Sequence, residues 1–334
     1  YLPDRRPREG LVGQHHLGHP FVRRDVLLLQ GDLVGDDLVH GRGRSLAGAE
    51  AFEHDIAVRV HDREYAHLSA LLASEHDHVF DRRTALNLLL SGHFEEAIAG
   101  YQNLLSINPD DLGSMDGLAS AYMNAGRYEE AIPLKLRLHE ADKAEIPDHP
   151  GQHLYLAAAY WCLDDRTRAI ELARCLCVAI LDGSVSMAPD HAGGATFGLV
   201  LHYMAVTAGD DANRDYALRY LKKLNVKYDK RPTMFRYPVA TVKQVLGEVS
   251  FEDALASAAG EHDLAGAYRA ANGNRSTKLA LGQVLFHDGA IRRAHGDEAG
   301  CRTRMQEVFD LGFQTESVCW YFARHEVSAR APAC

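Results

Sequence analysis

The sequence predicts an all-α protein, built as a solenoid of stacked helix pairs. The first observation is the pattern Ala-x-x-Tyr-x-x-x-Gly-x-Tyr-Glu-Glu-Ala-Ile at Ala119–Ile132. The second is that half of this pattern recurs 34 residues earlier, at Gly92–Ile98. A period of that length is typical of repeats that each form two antiparallel helices. Because such repeats contact only their neighbours, the array grows in one dimension, and its 334 residues need not divide into globular domains.

The second helix pair is the clearest. Met115, Leu118 and Tyr122 recur at spacings of three, four and seven residues, which places them on one apolar face of a helix. We expect this helix to end at Gly126, because glycine adopts the left-handed conformation of a helix end with least strain. The second helix of the pair is then predicted to begin at Tyr128.

Similar pairs are predicted on both sides. The first pair ends at Asn108-Pro109, because proline stops a helix. A third pair follows a predicted loop, Asp142–Pro150, and has Leu156 and Tyr160 on its apolar face. The weaker helical regions that follow are a pair over Gly198–Leu224, Val239–Ala259, a pair over Lys278–Leu311 with a turn in Gly289–Gly296 and Cys301 as a small contact position, and a capping helix over Glu316–Ala329.

Residues Thr84–Leu181 resemble the tetratricopeptide repeat family, because the small, aromatic and proline positions fall in phase with that repeat. The resemblance implies a right-handed superhelix whose first helices line a concave groove. Members of the family typically bind a peptide or partner helix there and are not themselves catalysts. We therefore divide the chain into an atypical segment (1–83), tetratricopeptide repeats (84–230) and degenerate repeats with the capping helix (231–334).

On this resemblance, the groove presents side chains from the first helices of pairs two and three. Trp161 has two interpretations: a binding anchor with a large contact area, or a core residue packed against the neighbouring pair. The groove residues expected from the resemblance are Asp116, Ser120, Met123 and Asn124 from pair two, and Leu154, Ala158, Trp161 and Cys162 from pair three.

The charge at these positions bears on the partner. One well-known subset of the family grips the terminal carboxylate of a chaperone tail with Lys, Asn and Arg. The first helix of the third pair has no Lys or Arg, and Asp116 adds negative charge to the second. Because carboxylate capture needs positive charge, we expect instead an apolar or mildly basic protein or peptide partner.

Residues 1–83 differ sharply in composition from the rest. They contain no Lys, Asn, Met, Thr, Cys or Trp and only one Ile, Ile56. Codons that begin with A are therefore almost unused, and we hypothesise a spurious or chimeric extension. The alternative is a native Arg/His-rich regulatory segment. The segment holds nine of the 19 histidines, but no metal-binding spacing is complete, so we expect no metal site.

Bulk properties exclude several classes of partner. The net charge of −10 gives no global attraction for nucleic acid or anionic lipid, and no run of about 18 apolar residues is present. Six cysteines without metal-ligand spacing favour reduced thiols and a cytoplasmic location. Since the chain begins at Tyr1 rather than Met, we expect its true N-terminus upstream, where a signal peptide would not be visible.

Catalytic motifs are absent from the sequence: it has no Gly-x-Ser-x-Gly elbow, phosphate loop, His-Glu-x-x-His helix or Cys-x-x-Cys pair. We therefore expect a non-catalytic interaction scaffold without cofactors, not an enzyme. The alternative is a regulator or sensor whose C-terminal half, Val239–Cys334, gates a partner enzyme or binds a small molecule. Catalysis ranks third, because it would need convergent polar groups in a closed pocket.

Overall fold

The computed structural model describes residues 81–145, 152–185, 194–228, 237–312 and 317–328. Every regular element in these ranges is an α-helix, and consecutive helices pack against each other. The predicted all-α solenoid is confirmed. The expectations for the atypical first segment lie outside the described residues, apart from its last three positions.

The helices of the first three pairs are α1 (Arg82–Leu90), α2 (Phe94–Ile107), α3 (Leu112–Ala125), α4 (Tyr128–Glu145), α5 (His153–Cys162) and α6 (Arg166–Asp182). The remaining helices in the described ranges are α7 (Ala195–Ala208), α8 (Asp211–Tyr228), α9 (Tyr237–Val245), α10 (Phe251–Ala259), α11 (Leu264–Ala271), α12 (Arg275–Ala294), α13 (Glu298–Asp310) and α14 (Val318–Ser328). From α1 to α8 each helix packs on the next. Helix α12 is central to the second half, where it packs against α7, α9, α10, α11 and α13.

Glycines end the first helices of pairs one and two. Gly92 and Gly126 both have left-handed backbones, with φ of 81° and 79°. After Gly126 the chain re-enters a helix at Tyr128, as predicted. Pair three turns differently, through Asp164 at φ 59°. Aspartate is among the few residues with a side chain that occupy this conformation often, so the turn survives without glycine.

The start of α1 is capped by aspartate. Asp81 accepts a hydrogen bond from the backbone N–H of Thr84 at 2.8 Å. This satisfies one of the amides that every helix leaves unpaired at its N-terminus. Asp81 therefore forms the N-terminal boundary of α1. The predicted domain boundary between residues 83 and 84 falls inside α1.

The structure corrects one predicted connection and confirms another. The loop predicted over Asp142–Pro150 begins too early, because α4 continues to Glu145. The turn predicted within Gly289–Gly296 is confirmed, since the chain turns at Gly296, with φ 81°. Gly289 lies inside α12, where a Cβ would lie 3.0 Å from the Cε of Met305 and 3.1 Å from the Cβ of Arg304, so this glycine allows close helix packing. Helix α11 was not predicted from the sequence.

Close packing within the repeats depends on glycines in helix interiors. A Cβ on Gly117 of α3 would overlap the ring of Tyr101 of α2, and a Cβ on Gly198 would overlap Tyr220. Both tyrosines are almost completely buried. Each glycine therefore lets a tyrosine of a neighbouring helix lie against the backbone.

We expect Gly117→Ala to lower the free energy of unfolding by about 1–3 kcal/mol, the usual cost of overpacking a core. This outcome opposes helix propensity, by which alanine is better than glycine by about 1 kcal/mol. Urea denaturation of the variant measures the change. In a Tyr101→Leu background the obstructing ring is gone, and the same substitution should no longer destabilise. An equal loss in both backgrounds would contradict the steric explanation.

Candidate functional site

The last described helix crosses back onto the first repeats. Helix α14 packs against α12 and α13 and also against α5, the first helix of pair three. The Sγ of Cys162 lies 3.7 Å from the carbonyl oxygen of Tyr321, which is 159 residues away in the sequence. A helix of the same chain therefore covers residues that the sequence assigned to a groove. We call the residues in contact with it the α14 seat: Asn124, Ala125, Trp161, Cys162, Tyr203, Phe286, His287 and Arg293.

One end of the seat is the C-terminus of α3. The guanidinium of Arg324 donates to the carbonyl oxygen of Ala125 at 2.8 Å and also to that of Asn124. The last carbonyls of a helix lack partners inside the helix and carry partial negative charge, so a cation is favoured there. The Asn124 side-chain amide also donates to the hydroxyl oxygen of Tyr321 at 3.3 Å. Arg324 and Tyr321 thus attach α14 to the end of α3.

The middle of the seat is aromatic. Phe322 of α14 is fully buried, and its ring centroid lies 5.1 Å from that of Tyr203. It also lies 5.8 Å from Phe286 and 6.4 Å from Trp161. Aromatic pairs at these separations contribute about 0.5–1.5 kcal/mol beyond the area they bury. This cluster joins α5, α7, α12 and α14.

The other end of the seat is a buried ion pair. Arg293 of α12 donates two hydrogen bonds to the carboxylate of Glu326, at 2.7 and 2.8 Å. Tyr203 donates to the same carboxylate at 2.7 Å, and Arg293 also donates to Thr207 at 2.9 Å. Burial by itself would lower the pKa of Arg293, but its hydrogen bonds to Glu326 and the charge of that carboxylate outweigh burial and raise it. The pair is therefore held ionised.

The structure divides the predicted groove residues into covered and accessible ones. Ser120 is nearly buried, and Leu154 and Asp116 are partly exposed. The residues that the folded chain covers most completely are Met123, Asn124, Ala158 and Trp161, each 2% exposed or less. Of the two interpretations of Trp161, the folded chain places it in the interior, against Tyr203 and Phe322.

Asp116 already has a partner of opposite charge. Its carboxylate lies 2.7 Å from the Nζ of Lys135 on α4. The Lys135 side chain is 2% exposed, and its Nζ lies 4.5 Å from the ring centroid of Tyr155. A basic partner would have to compete with Lys135 for this carboxylate. Lys135 was not predicted from the sequence, because nothing in the sequence of α4 distinguishes a buried lysine from the charged residues around it.

Three of the described cysteines have buried thiols that are poorly suited to chemistry. Burial raises the pKa of the Cys162 thiol to about 12, and it also raises those of Cys177 and Cys319. A thiol reacts as its thiolate, so these three side chains are weak nucleophiles at neutral pH. In the described ranges, no three His, Cys, Asp or Glu side chains cluster as a metal ion would need, and no helix there is long and apolar enough to cross a membrane.

Comparison with known proteins identifies the repeats. The family model described as the tetratricopeptide repeat matches residues 88–143. The resemblance seen in the sequence is thereby confirmed: residues 88–143 are tetratricopeptide repeats. Proteins built from this repeat commonly mediate protein interactions and are generally not catalytic.

One similar solved structure is the crystal structure, at 2.39 Å resolution, of a tetratricopeptide repeat protein from Parabacteroides merdae ATCC 43184. It is 14% identical in sequence, with a TM-score of 0.41, and the match covers 81% of this chain and 98% of that one. No curated protein matches the chain.

The seat makes Gly126 more sensitive to substitution than its counterpart one repeat earlier. A Cβ on Gly126 would lie 2.8 Å from a nitrogen of Arg324, whereas a Cβ on Gly92 would meet no atom within 4 Å. Both glycines have nearly the same φ, so alanine should cost about 1–2 kcal/mol at either position from backbone strain. We expect Gly126→Ala to cost about 1 kcal/mol more in unfolding free energy, because Arg324 must shift. Equal losses for the two variants in urea denaturation would show that Arg324 does not bear on this turn.

Two buried histidines, on α7 and α12, make the free energy of unfolding depend on pH. Burial lowers the pKa of His202 to about 4 and that of His287 to about 3, from 6.5. Between about pH 6.5 and these values the unfolded chain binds protons that the folded chain does not. The stability is therefore complete above pH 6.5 and decreases as the pH falls, by about 2 kcal/mol per histidine at pH 5.

Unfolding free energies measured from pH 7 to pH 5 test this expectation. His287→Gln should flatten the dependence by the share of one histidine, because the side chain no longer titrates. His262→Gln is the matched control, since that histidine is exposed, and its pH dependence should equal that of the parent protein. Parallel curves for all three proteins would contradict the assignment to His287.

Proposed function

We propose that this chain is a non-catalytic scaffold that binds a peptide or a partner helix on the concave face of its repeats. The single observation that carries the proposal is α14 itself. A helix already lies across α5 and the end of α3, with an aromatic side chain between two polar anchors. A face that holds one helix in this way has the dimensions and donor groups for helix recognition. The tetratricopeptide repeats also support this class of function.

The accessible part of the face lies toward the N-terminal side of the seat. Leu154 and Asp116 are partly exposed there, and Arg82 of α1 has 48% of its side chain exposed. A partner bound with α14 in place would contact these side chains first. The full proposed binding set is the one expected from the sequence, namely Asp116, Ser120, Met123, Asn124, Leu154, Ala158 and Trp161. Of these, Asn124 and Trp161 contact α14, so a partner would reach them only if α14 moved.

The proposed partner is a protein or peptide segment, apolar or mildly basic, and not nucleic acid or a membrane. An apolar segment suits Leu154 and the aromatic seat, whereas a basic side chain would compete with Lys135. We place the protein in the cytoplasm. The described cysteines Cys162, Cys175, Cys177, Cys301 and Cys319 are unpaired by disulfides, which fits a reducing compartment.

A second candidate function is a regulator whose C-terminal half gates a partner enzyme. The observation that favours it is that α14 belongs to this half and covers first helices of the N-terminal repeats. Any interaction that moved α12 or α13 would also move α14, because the three helices pack together. The gate would act by exposing or covering the concave face.

Affinity capture by two matched variants tests the scaffold function. Leu154→Gln changes an apolar groove side chain, and Leu136→Gln makes the same change at an exposed leucine of α4. We expect Leu154→Gln to weaken capture of a partner at least tenfold, because a desolvated polar side chain would replace an apolar contact, while Leu136→Gln leaves capture unchanged. Equal effects of the two variants, with unchanged helicity, would exclude the groove as the binding face.

A further inference from the structure

We infer that α14 is the resident ligand of the groove, and that the partner is a helix that carries the same anchors and takes the place of α14. The anchors are two adjacent aromatic residues, then a basic and an acidic residue, spaced as in Tyr321, Phe322, Arg324 and Glu326. This inference rests on the proposed function, since it concerns the same face. It adds the chemistry of the partner and the step that regulates access.

The anchors form two stripes on α14. Tyr321 and Arg324 are three residues apart, and both contact the C-terminal end of α3. Phe322 and Glu326 are four residues apart, and both contact α7 and α12. Residues three and four apart lie on one side of a helix, so a single short helix presents both pairs. Two further side chains of α14 face polar groups: Cys319 lies 3.9 Å from His287, and His325 lies 4.0 Å from Asp164.

The groups that receive the anchors are incomplete without a helix in the seat. The carbonyls of Asn124 and Ala125 end α3, and no later turn of that helix pairs with them. Arg293 has 7% of its side chain exposed and would lose its two hydrogen bonds to Glu326, keeping only Glu298 at 3.1 Å and Thr207 at 2.9 Å. Loss of a buried carboxylate partner is costly for a cation, so the seat favours an occupied state over an empty one. Exchange of one helix for another avoids that cost.

A comparison within the repeats marks the seat as specific. Gly92 and Gly126 occupy the same position one period apart, with similar backbones. The space beside Gly92 is open, whereas a guanidinium lies over Gly126. The repeat alone therefore does not call for a cation at this position. The cation beside Gly126 is Arg324 of α14, which reaches the C-terminal end of α3.

Competition by α14 lowers the fraction of grooves that a partner at low concentration can occupy. A segment of the same chain acts at an effective concentration of about millimolar. A partner with equal contacts at micromolar concentration would therefore occupy about one groove in a thousand. Consider a substitution that weakens α14 binding but leaves the groove unchanged. The affinity for an added helix should rise by the same factor as the fraction of molecules whose groove is unoccupied.

The test uses the full chain and, as probe, a fluorescent peptide with the sequence of residues 317–328. Anisotropy should show at least tenfold tighter peptide binding to Arg324→Ala than to the parent protein, because the α14 of this variant has lost its bonds to the end of α3. A peptide whose own arginine is replaced by alanine should lose at least tenfold in affinity for that variant. Ser328→Ala, an exposed change at the end of α14, is the matched control and should bind the peptide as the parent does.

Amide hydrogen exchange of residues 318–328 reports release of α14 independently. Faster exchange in Arg324→Ala with no gain in peptide binding would overturn the inference, and so would unchanged exchange. Concentration-dependent dimerisation of the variant would overturn it in favour of a second copy of the chain as occupant. If Arg324→Ala does not fold, as judged by circular dichroism, Glu326→Gln replaces it and carries the same expectations.

The two proposals fail separately. If the peptide never binds but Leu154→Gln still weakens capture of a partner, the scaffold function stands, with its partner on the accessible part of the face. If the peptide binds as expected but Leu154→Gln has no effect on capture, the seat accepts helices while the N-terminal part of the face is not used.

Discussion

The buried ion pair between Arg293 and Glu326 is the interaction on which the placement of the last helix depends. Both side chains are more than 90% buried, and transfer of two charges out of water is costly. The cost is offset because Glu326 accepts two hydrogen bonds from Arg293 and a third from Tyr203. Loss of Glu326 would leave Arg293 only the half-exposed carboxylate of Glu298 and the hydroxyl of Thr207, at a cost of up to about 3–5 kcal/mol. The pair therefore selects one position of α14 among the many that its apolar side chains alone would permit.

That position determines which surface of the repeats is available. With α14 in its seat, Trp161 and Asn124 belong to the interior, while Leu154 and Asp116 remain at the accessible end. The proposed scaffold function and the proposed regulatory function therefore do not exclude each other. Helix α14 of the C-terminal half lies on the helices to which we assign partner binding.

The sequence predicts most helices because their cause is local. Three kinds of signal act within one or two helical turns. They are apolar residues three and four positions apart, the glycines Gly92 and Gly126, and the Tyr-Glu-Glu-Ala start of α4. Prediction fails where local signals are ambiguous. The polar residues at the end of α4 resemble a loop but continue the helix to Glu145.

The candidate site also has features that the sequence predicts and features that only tertiary contacts determine. By itself the sequence determined the class of fold and the repeat family, because periodicity within a repeat is enough to set them, and it predicted which helix faces line a groove. Only the tertiary structure decided that these faces are filled by α14 and that Asp116 is paired with Lys135. The contacts concerned join residues up to 200 positions apart, such as Arg324 and Asn124. No local spacing encodes such pairs, because they exist only once the whole array has folded and brought its last helix back to its third.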